Sequence, residues 1–294
     1  MDLHNCTLCP RECGADRYSG AGFCGCGSEI RAAKAYLHMW EEPCISGKNG
    51  SGTVFFSGCC LKCCFCQNYK ISCENSGKEI SAKRLSEIFL ELREKGAHNI
   101  NLVSPTPYVP QIIEALDLCR DKLDIPIVYN TGGYERVETL KMLDGYVDVY
   151  LPDFKYYDNA LAKKYSSADN YFEAVTAALK EMHRQTGPCR IEDGIIKKGV
   201  IIRHLALPSH RADSVKILEW ISENLPKGDI LISLMSQYTP VYKSFQHKEI
   251  SRKISTFEYN FIIDKAVELE LDGFTQEKSS AVSDYTPDFD LYGL

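Results

Sequence analysis

No stretch of this chain approaches the roughly 18 consecutive apolar residues of a membrane span. The opening Met1-Asp2-Leu3-His4-Asn5-Cys6 has neither a basic nor an apolar leader segment. There is no basic block or tail: 34 Lys and Arg against 40 Asp and Glu give a net charge of −6, which argues against nucleic-acid and membrane-surface partners. The expectation is a cytoplasmic protein, in which the sequons Asn5-Cys6-Thr7 and Asn49-Gly50-Ser51 stay idle. No repeat of fixed period is visible. Gly20-Ala21-Gly22-Phe23-Cys24-Gly25 fits a glycine-rich dinucleotide pattern, but no strand leads into it, so that reading fails.

What the chain has in excess is cysteine. Five of its 14 cysteines fall within residues 6–26 and six within 59–73, leaving Cys44, Cys119 and Cys189 apart. Without an export signal, such clustering favours metal binding over disulfides. In Ser57-Gly58-Cys59-Cys60-Leu61-Lys62-Cys63-Cys64-Phe65-Cys66, a C-x3-C-x2-C spacing arises only from Cys59, Cys63 and Cys66. Three thiolates can hold three irons of a cubane cluster and leave the fourth iron open, as catalytic metal sites leave a position open. The competing readings are a closed electron-transfer cluster, with Cys60, Cys64 or Cys73 as fourth ligand, and a zinc knuckle.

The 294 residues suit one large α/β domain, or one with a small appendage. Thr53–Ser57 reads as a strand entering the cysteine loop. Between Ser81 and Lys95, Leu85, Ile88, Phe89 and Leu92 recur at helical spacing before Gly96. Strands at 99–103, 125–129, 147–151, 199–207 and 230–235 alternate with helices at 109–119, 135–143, 171–186, 211–224 and 257–271. Six βα units imply a parallel sheet, either doubly wound or a partial (β/α)6 barrel. Every strand end is polar: Ser57-Gly58-Cys59, Ser104-Pro105-Thr106, Asn130-Thr131-Gly132, Asp153-Phe154-Lys155, Arg203-His204 and Ser236-Gln237-Tyr238. Polar groups gathered on one rim fit a barrel. Residues 1–52 form a Cys-rich lobe and linker before a barrel at 53–294. In the lobe, Cys6, Cys9, Cys13 and Cys24 suit a second [4Fe–4S] cluster or a zinc ion, with Cys26, Cys44 and His38 of open role.

The cysteine loop resembles that of radical S-adenosylmethionine (radical SAM) enzymes. Together with His38-Met39-Trp40-Glu41-Glu42-Pro43-Cys44 and the terminal Pro287-Asp288-Phe289-Asp290, it is similar to a branch named, by similarity, for pyruvate formate-lyase activation. The resemblance implies the partial (β/α)6 TIM-like barrel. It also implies a [4Fe–4S] cluster on Cys59, Cys63 and Cys66 that chelates SAM, and reductive cleavage to a 5′-deoxyadenosyl radical. Activation of a glycyl radical enzyme follows, with a flavodoxin- or ferredoxin-type reductant, oxygen sensitivity and an anaerobic host. Phe65, Thr106, Asn130, Asp153, Lys155 and Arg203 are the expected SAM-binding residues. Asp153 and Lys155 lie two apart on a strand end and share a face, and Arg203 interrupts an apolar run, so it needs an anion. His204 should face the other side. Two positions depart from the family pattern. Ser104-Pro105-Thr106-Pro107-Tyr108 stands where an acid usually binds the SAM amino group, and Leu207-Pro208-Ser209-His210 lacks the usual glycine. Two other functions compete: radical modification of another peptide, cofactor precursor or metabolite, and a non-catalytic electron carrier or redox sensor.

Overall fold

The computed structural model describes residues 2–276 and 287–294. Its strands are β1 (Ile30–His38), β2 (Ser51–Phe56), β3 (Lys78–Ile80), β4 (Ile100–Val103), β5 (Ile127–Thr131), β6 (Val149–Pro152), β7 (Arg190–Glu192), β8 (Ile195–Leu205), β9 (Ile230–Met235) and β10 (Gly273–Thr275). Its α-helices are α1 (Pro43–Ser46), α2 (Tyr69–Ser72), α3 (Ala82–Glu94), α4 (Val109–Cys119), α5 (Val137–Met142), α6 (Asn159–Ser166), α7 (Tyr171–Thr186), α8 (Arg211–Asn224) and α9 (Thr256–Glu268).

Local chemistry explains the boundaries. Ser81 caps α3 by accepting from the Arg84 N–H, and Gly96, at φ +88°, ends the turn that follows. Ser255 and Glu258 form a reciprocal capping box on α9. The buried Leu85, Ile88, Phe89 and Leu92 face the sheet, as their spacing predicts.

Strands β2, β4, β5, β6, β8 and β9 lie side by side in chain order, every pair parallel. That sequential order is what βαβ units with short loops produce, and it excludes the doubly wound alternative, whose order reverses at a switch point. β10 extends the sheet beyond β9, while β1 and β3 add antiparallel strands beyond β2. The sheet also curves: the Glu41 carboxylate, from the segment before β2, reaches Asn101 of β4, Asn130 of β5 and Arg203 of β8. No strand pair closes the ring among the described residues, so the fold is a partial barrel, as expected.

β1 is the longest of the strands that the sequence reading did not find, the others being β3, β7 and β10. Its residues lie in the segment read as lobe and linker, yet six register pairs join it to β2. Both its faces are packed, so its residues show no clean alternation of polar and apolar. Residues 287–294 strap its outer side: Ala35 donates to the Tyr292 carbonyl, and Phe289 meets Phe55 edge-on.

Residues 2–29 pack against the C-terminal rim of the barrel. Arg17, 1% exposed, donates to the carbonyls of Gly27 and Pro107. Arg11 donates to the carbonyls of Cys60 and Ser167, and Thr139 to that of Leu8. The lobe therefore rests on the loops after β2, β4 and β5.

Gly58 shows how tight this joint is. Its φ is +87°, and a Cβ there would lie 2.1 Å from Cys26 Sγ. Gly58→Ala is expected to destabilise the protein by more than about 2 kcal/mol, from left-handed backbone strain plus overlap. Urea denaturation checks this; a loss under about 0.5 kcal/mol would mean that Cys26 moves aside freely.

Candidate active site

The cysteine loop leaves β2 through Gly58 and turns at Lys62, whose φ of +59° is unusual for a side chain of that length. Lys62 holds the turn by donating from Nζ to the carbonyls of Cys24 and Ser72. Cys63 accepts a hydrogen bond from Ser166 at 2.9 Å and Cys66 one from Ser72 at 3.2 Å. Burial pushes the Cys66 thiol up to about 12 and raises Cys63 as well. The Cys60 thiol, helped by the N–H groups of Leu61 and Lys62, holds Cys59 down at about 6 against burial. Cys59, Cys63 and Cys66 lie close enough to interact electrostatically. The neighbouring thiols diverge. Cys60 turns towards the N-terminal lobe, and Cys64 towards the side holding Lys164 and Glu249. Cys73 sits behind Ser72, whose hydroxyl lies 3.6 Å from its sulfur.

Cys63, Phe65 and Cys66 open onto a cavity of about 210 Å³ also lined by Asp153, Lys155, Arg203 and Gln237. Phe65 is buried and packs edge-on against Tyr238. Asp153 and Lys155 do share a face: Lys155 Nζ lies 2.5 Å from Asp153 Oδ2. On the other side, Arg203 Nε donates to Asp153 Oδ1 at 2.8 Å, Nη2 to Asn130 at 2.6 Å, and Nη1 to Glu41 at 3.3 Å. The anion that Arg203 was expected to need is thus supplied by the chain. Burial works against an ionised Asp153, but Arg203 and Lys155 outweigh it and hold the carboxyl below its ordinary value.

A second cavity, of about 550 Å³, adjoins the first through Arg203, Met235 and Gln237. It occupies the open side of the barrel, between residues 39–43 and strands β9 and β10. Glu41 and Glu42 line it, both raised by burial with Arg203 opposing the shift. Glu42 Oε2 is buried without a hydrogen-bond partner.

The position of Thr106 needs correction, and those of His38, Cys44 and His204 can now be given. Thr106 does not reach the cavity of Cys63 and Lys155. It is buried beside the N-terminal cysteines, and its hydroxyl donates to Glu135 Oε1 at 2.5 Å. The 3-10 turn at Thr106–Tyr108 carries it behind the cysteine loop. His38 ends β1 opposite Ser51, bonded to the Tyr36 hydroxyl, and burial lowers it to about 4. Cys44 packs with Val128, Val149 and Ile201, and burial raises its thiol. His204 is satisfied by Phe154 and Ser214. Sequence reading missed Glu41, Glu42 and Glu135. Two adjacent acids before a proline carry no spacing signal, and only the curvature of the sheet brings Glu41 to Arg203.

A sequence model of the radical SAM superfamily matches residues 53–197. An uncharacterised protein of Methanocaldococcus jannaschii is 35% identical over 275 residues, covering 90% of this chain and 74% of its own length. The chain belongs to the radical SAM superfamily. Two solved structures share the fold. SuiB of Streptococcus suis, bound to its precursor peptide SuiA, has a TM-score of 0.52 at 16% identity, covering 74% of this chain. A radical SAM methyltransferase from Sphaerobacter thermophilus has a TM-score of 0.53 at 13% identity, covering 77%. This chain spans 46% of the length of SuiB and 66% of that of the methyltransferase. SuiB has also been solved with SAM bound. The cofactors of this radical SAM protein are accordingly a [4Fe–4S] cluster and SAM. The donor set fits them, with thiols beside a cavity whose wall carries both an ammonium and a guanidinium. Among the described residues, no three Cys, His, Asp or Glu side chains converge on a single-ion position.

Two predictions follow from the buried charges. Arg203→Leu leaves Asp153 and Glu41 buried without their cation, and should cost about 3–5 kcal/mol in denaturant unfolding. A loss below about 1 kcal/mol would show the pair to be hydrated. Burial lifts Glu135 to about 7, although Thr106, Thr131 and Tyr129 donate to it. Its folded value is raised, so its contribution is complete below about pH 4.5 and is lost as pH rises through about 7, roughly 3 kcal/mol in all. Glu135→Gln should flatten that part of the stability–pH curve; curves that stay parallel would sink the assignment.

Proposed function

We propose that Cys59, Cys63 and Cys66 hold the [4Fe–4S] cluster and that Asp153, Lys155, Arg203, Asn130 and Phe65 form the SAM site beside it. The observation that carries this is the meeting of the cysteine loop with Asp153, Lys155 and Arg203 on one cavity wall. When bound, cluster and SAM together supply reductive cleavage of SAM to a 5′-deoxyadenosyl radical.

The residues have separable roles. Lys155 offers a charge-assisted donor to a carboxylate, with Asp153 fixing its position. Arg203 and Asn130 hold Asp153 and Glu41 in place across the barrel. The face of Phe65 offers a flat apolar surface for a base, held by Tyr238. The Ser166 and Ser72 hydroxyls donate to Cys63 and Cys66, which orients the two sulfurs. The larger cavity on the open side would admit a substrate next to the SAM site, with residues 39–43 forming one of its walls.

For the substrate, the reading is hydrogen abstraction from a backbone glycine of a partner glycyl radical enzyme. A flavodoxin- or ferredoxin-type protein would act as reductant in the cytoplasm of an anaerobe. Its support is the sequence resemblance to the activase-like branch. Modification of a smaller peptide or metabolite is the second reading, favoured by the size of the cavity, about 550 Å³, and by Glu41 and Glu42 in its wall. No described helix is long and apolar enough to cross a membrane.

Anaerobic reconstitution with SAM and dithionite, with 5′-deoxyadenosine as readout, tests the first part. Cys59→Ala, Cys63→Ala or Cys66→Ala should each reduce product to background, and unchanged cleavage in any of them would sink the proposal. Lys155→Ala should raise the Kd for SAM about tenfold to a hundredfold, the loss of one charge-assisted hydrogen bond. Electron paramagnetic resonance of mixtures with candidate glycyl radical enzymes tests the second part. A SAM-dependent glycyl doublet supports activation; product formation with no doublet in any mixture moves the assignment to the second reading.

A further inference from the structure

The N-terminal cysteines do not form a site by themselves. Cys6, Cys9, Cys13 and Cys24 line a small cavity whose remaining wall includes Cys60, from the loop after β2. The Cys60 thiol lies between the thiols of Cys9 and Cys59, in hydrogen-bonding contact with each. Leu8, Phe23 and Pro107 line it too, beside Arg17 and Thr106, so the five sulfurs face a mainly apolar space. A Cβ at residue 22 would lie 3.4 Å from both Cys13 Sγ and Cys24 Sγ, which shows those two sulfurs turned towards one small gap.

Cys6 and Cys60 are buried, Cys9 and Cys24 half-buried and Cys13 exposed, so the five thiols gather at the edge of the lobe around one apolar space. The surroundings suit an anion. Arg17 is buried with Nη1 3.9 Å from Cys6 Sγ, and Arg11 braces the Cys60 carbonyl while its guanidinium lies 3.7 Å from the Phe23 ring centroid. A cubane held by four thiolates carries a net negative charge in its oxidised form, and two guanidiniums beside it offset that charge. A tetrahedral zinc ion with Zn–S bonds of about 2.3 Å would instead draw its sulfurs to within about 4 Å of one another. The two occupants differ in iron content, which the experiment below measures.

We infer that this cavity holds a second [4Fe–4S] cluster, ligated jointly by thiols of the lobe and by Cys60 from the barrel. Cysteines of one run can serve two clusters, as in two-cluster ferredoxins. Here the division falls between consecutive residues: Cys59 lies close enough to Cys63 and Cys66 to interact with them, and Cys60 lines the lobe cavity. The two clusters are then separated by about one residue of backbone. The inference rests on the reading of Cys59 as a ligand of the first cluster only for this adjacency.

The test counts iron and acid-labile sulfide in the reconstituted full chain and records electron paramagnetic resonance spectra with and without SAM. Wild type should hold about eight irons, and its fully reduced spectrum should show two coupled spins. Cys60→Ser should hold about four irons, lose the coupling, and keep a signal that shifts on adding SAM. Cys24→Ala, on the opposite wall, should give the same result, so a folding defect peculiar to one variant does not decide the matter. The Cys59→Ala, Cys63→Ala, Cys66→Ala triple variant should also hold about four irons, with a signal indifferent to SAM. Eight irons retained in Cys60→Ser would overturn the shared ligation. Four irons and one zinc in wild type would overturn the second cluster altogether. If the triple variant loses no iron while Cys24→Ala still does, the first site fails and the second stands.

Discussion

The Arg203 guanidinium is the contact on which the interior of this protein depends. It is buried in the barrel, and its hydrogen bonds reach β5 through Asn130, the end of β6 through Asp153 and the segment before β2 through Glu41. A guanidinium there requires anions, and anions there require it. This mutual requirement ties the curvature of the sheet to the shape of the site. It also places the Asp153 carboxylate where it holds Lys155 beside the cysteine loop.

The open side of the barrel follows from the same arrangement. A sheet that stops at β10 without meeting β1 leaves an uncovered lumen, and residues 39–43 lie across part of it. Glu41 is the anchor of that segment, since it accepts from Asn101 and Asn130 as well as Arg203. The neighbouring Glu42 keeps a buried oxygen without a partner. Burial raises the Glu42 carboxyl accordingly, since a buried charge without full hydrogen bonding is costly.

The cysteine loop is held from both sides. Lys62, Arg11 and the packing of Cys26 on Gly58 fasten it to the lobe. Ser166 and Ser72 fasten two of its sulfurs to the barrel. The loop is therefore the joint between the two parts of the chain, which is why its consecutive cysteines face different surroundings. It also explains why β1, although it follows the lobe in sequence, belongs to the sheet: the antiparallel strand carries the chain from the rim back to the start of β2.

The sequence by itself determined the local elements and the loop chemistry. Helical spacing at Leu85, Ile88, Phe89 and Leu92, the apolar runs of the parallel strands and the spacing of Cys59, Cys63 and Cys66 all act over a few residues, so they could be read directly. Asp153, Lys155 and Arg203 were legible because a charge on an apolar strand needs a reason. It took the packed fold to show that Arg203 is met by Glu41, that Thr106 faces Glu135 instead of the cavity of Cys63 and Lys155, and that Cys60 lies against the lobe. Each of these depends on how far the sheet curves and which way a loop turns. Those are set by packing between residues that lie 29 to 162 positions apart, and no local pattern encodes such a distance.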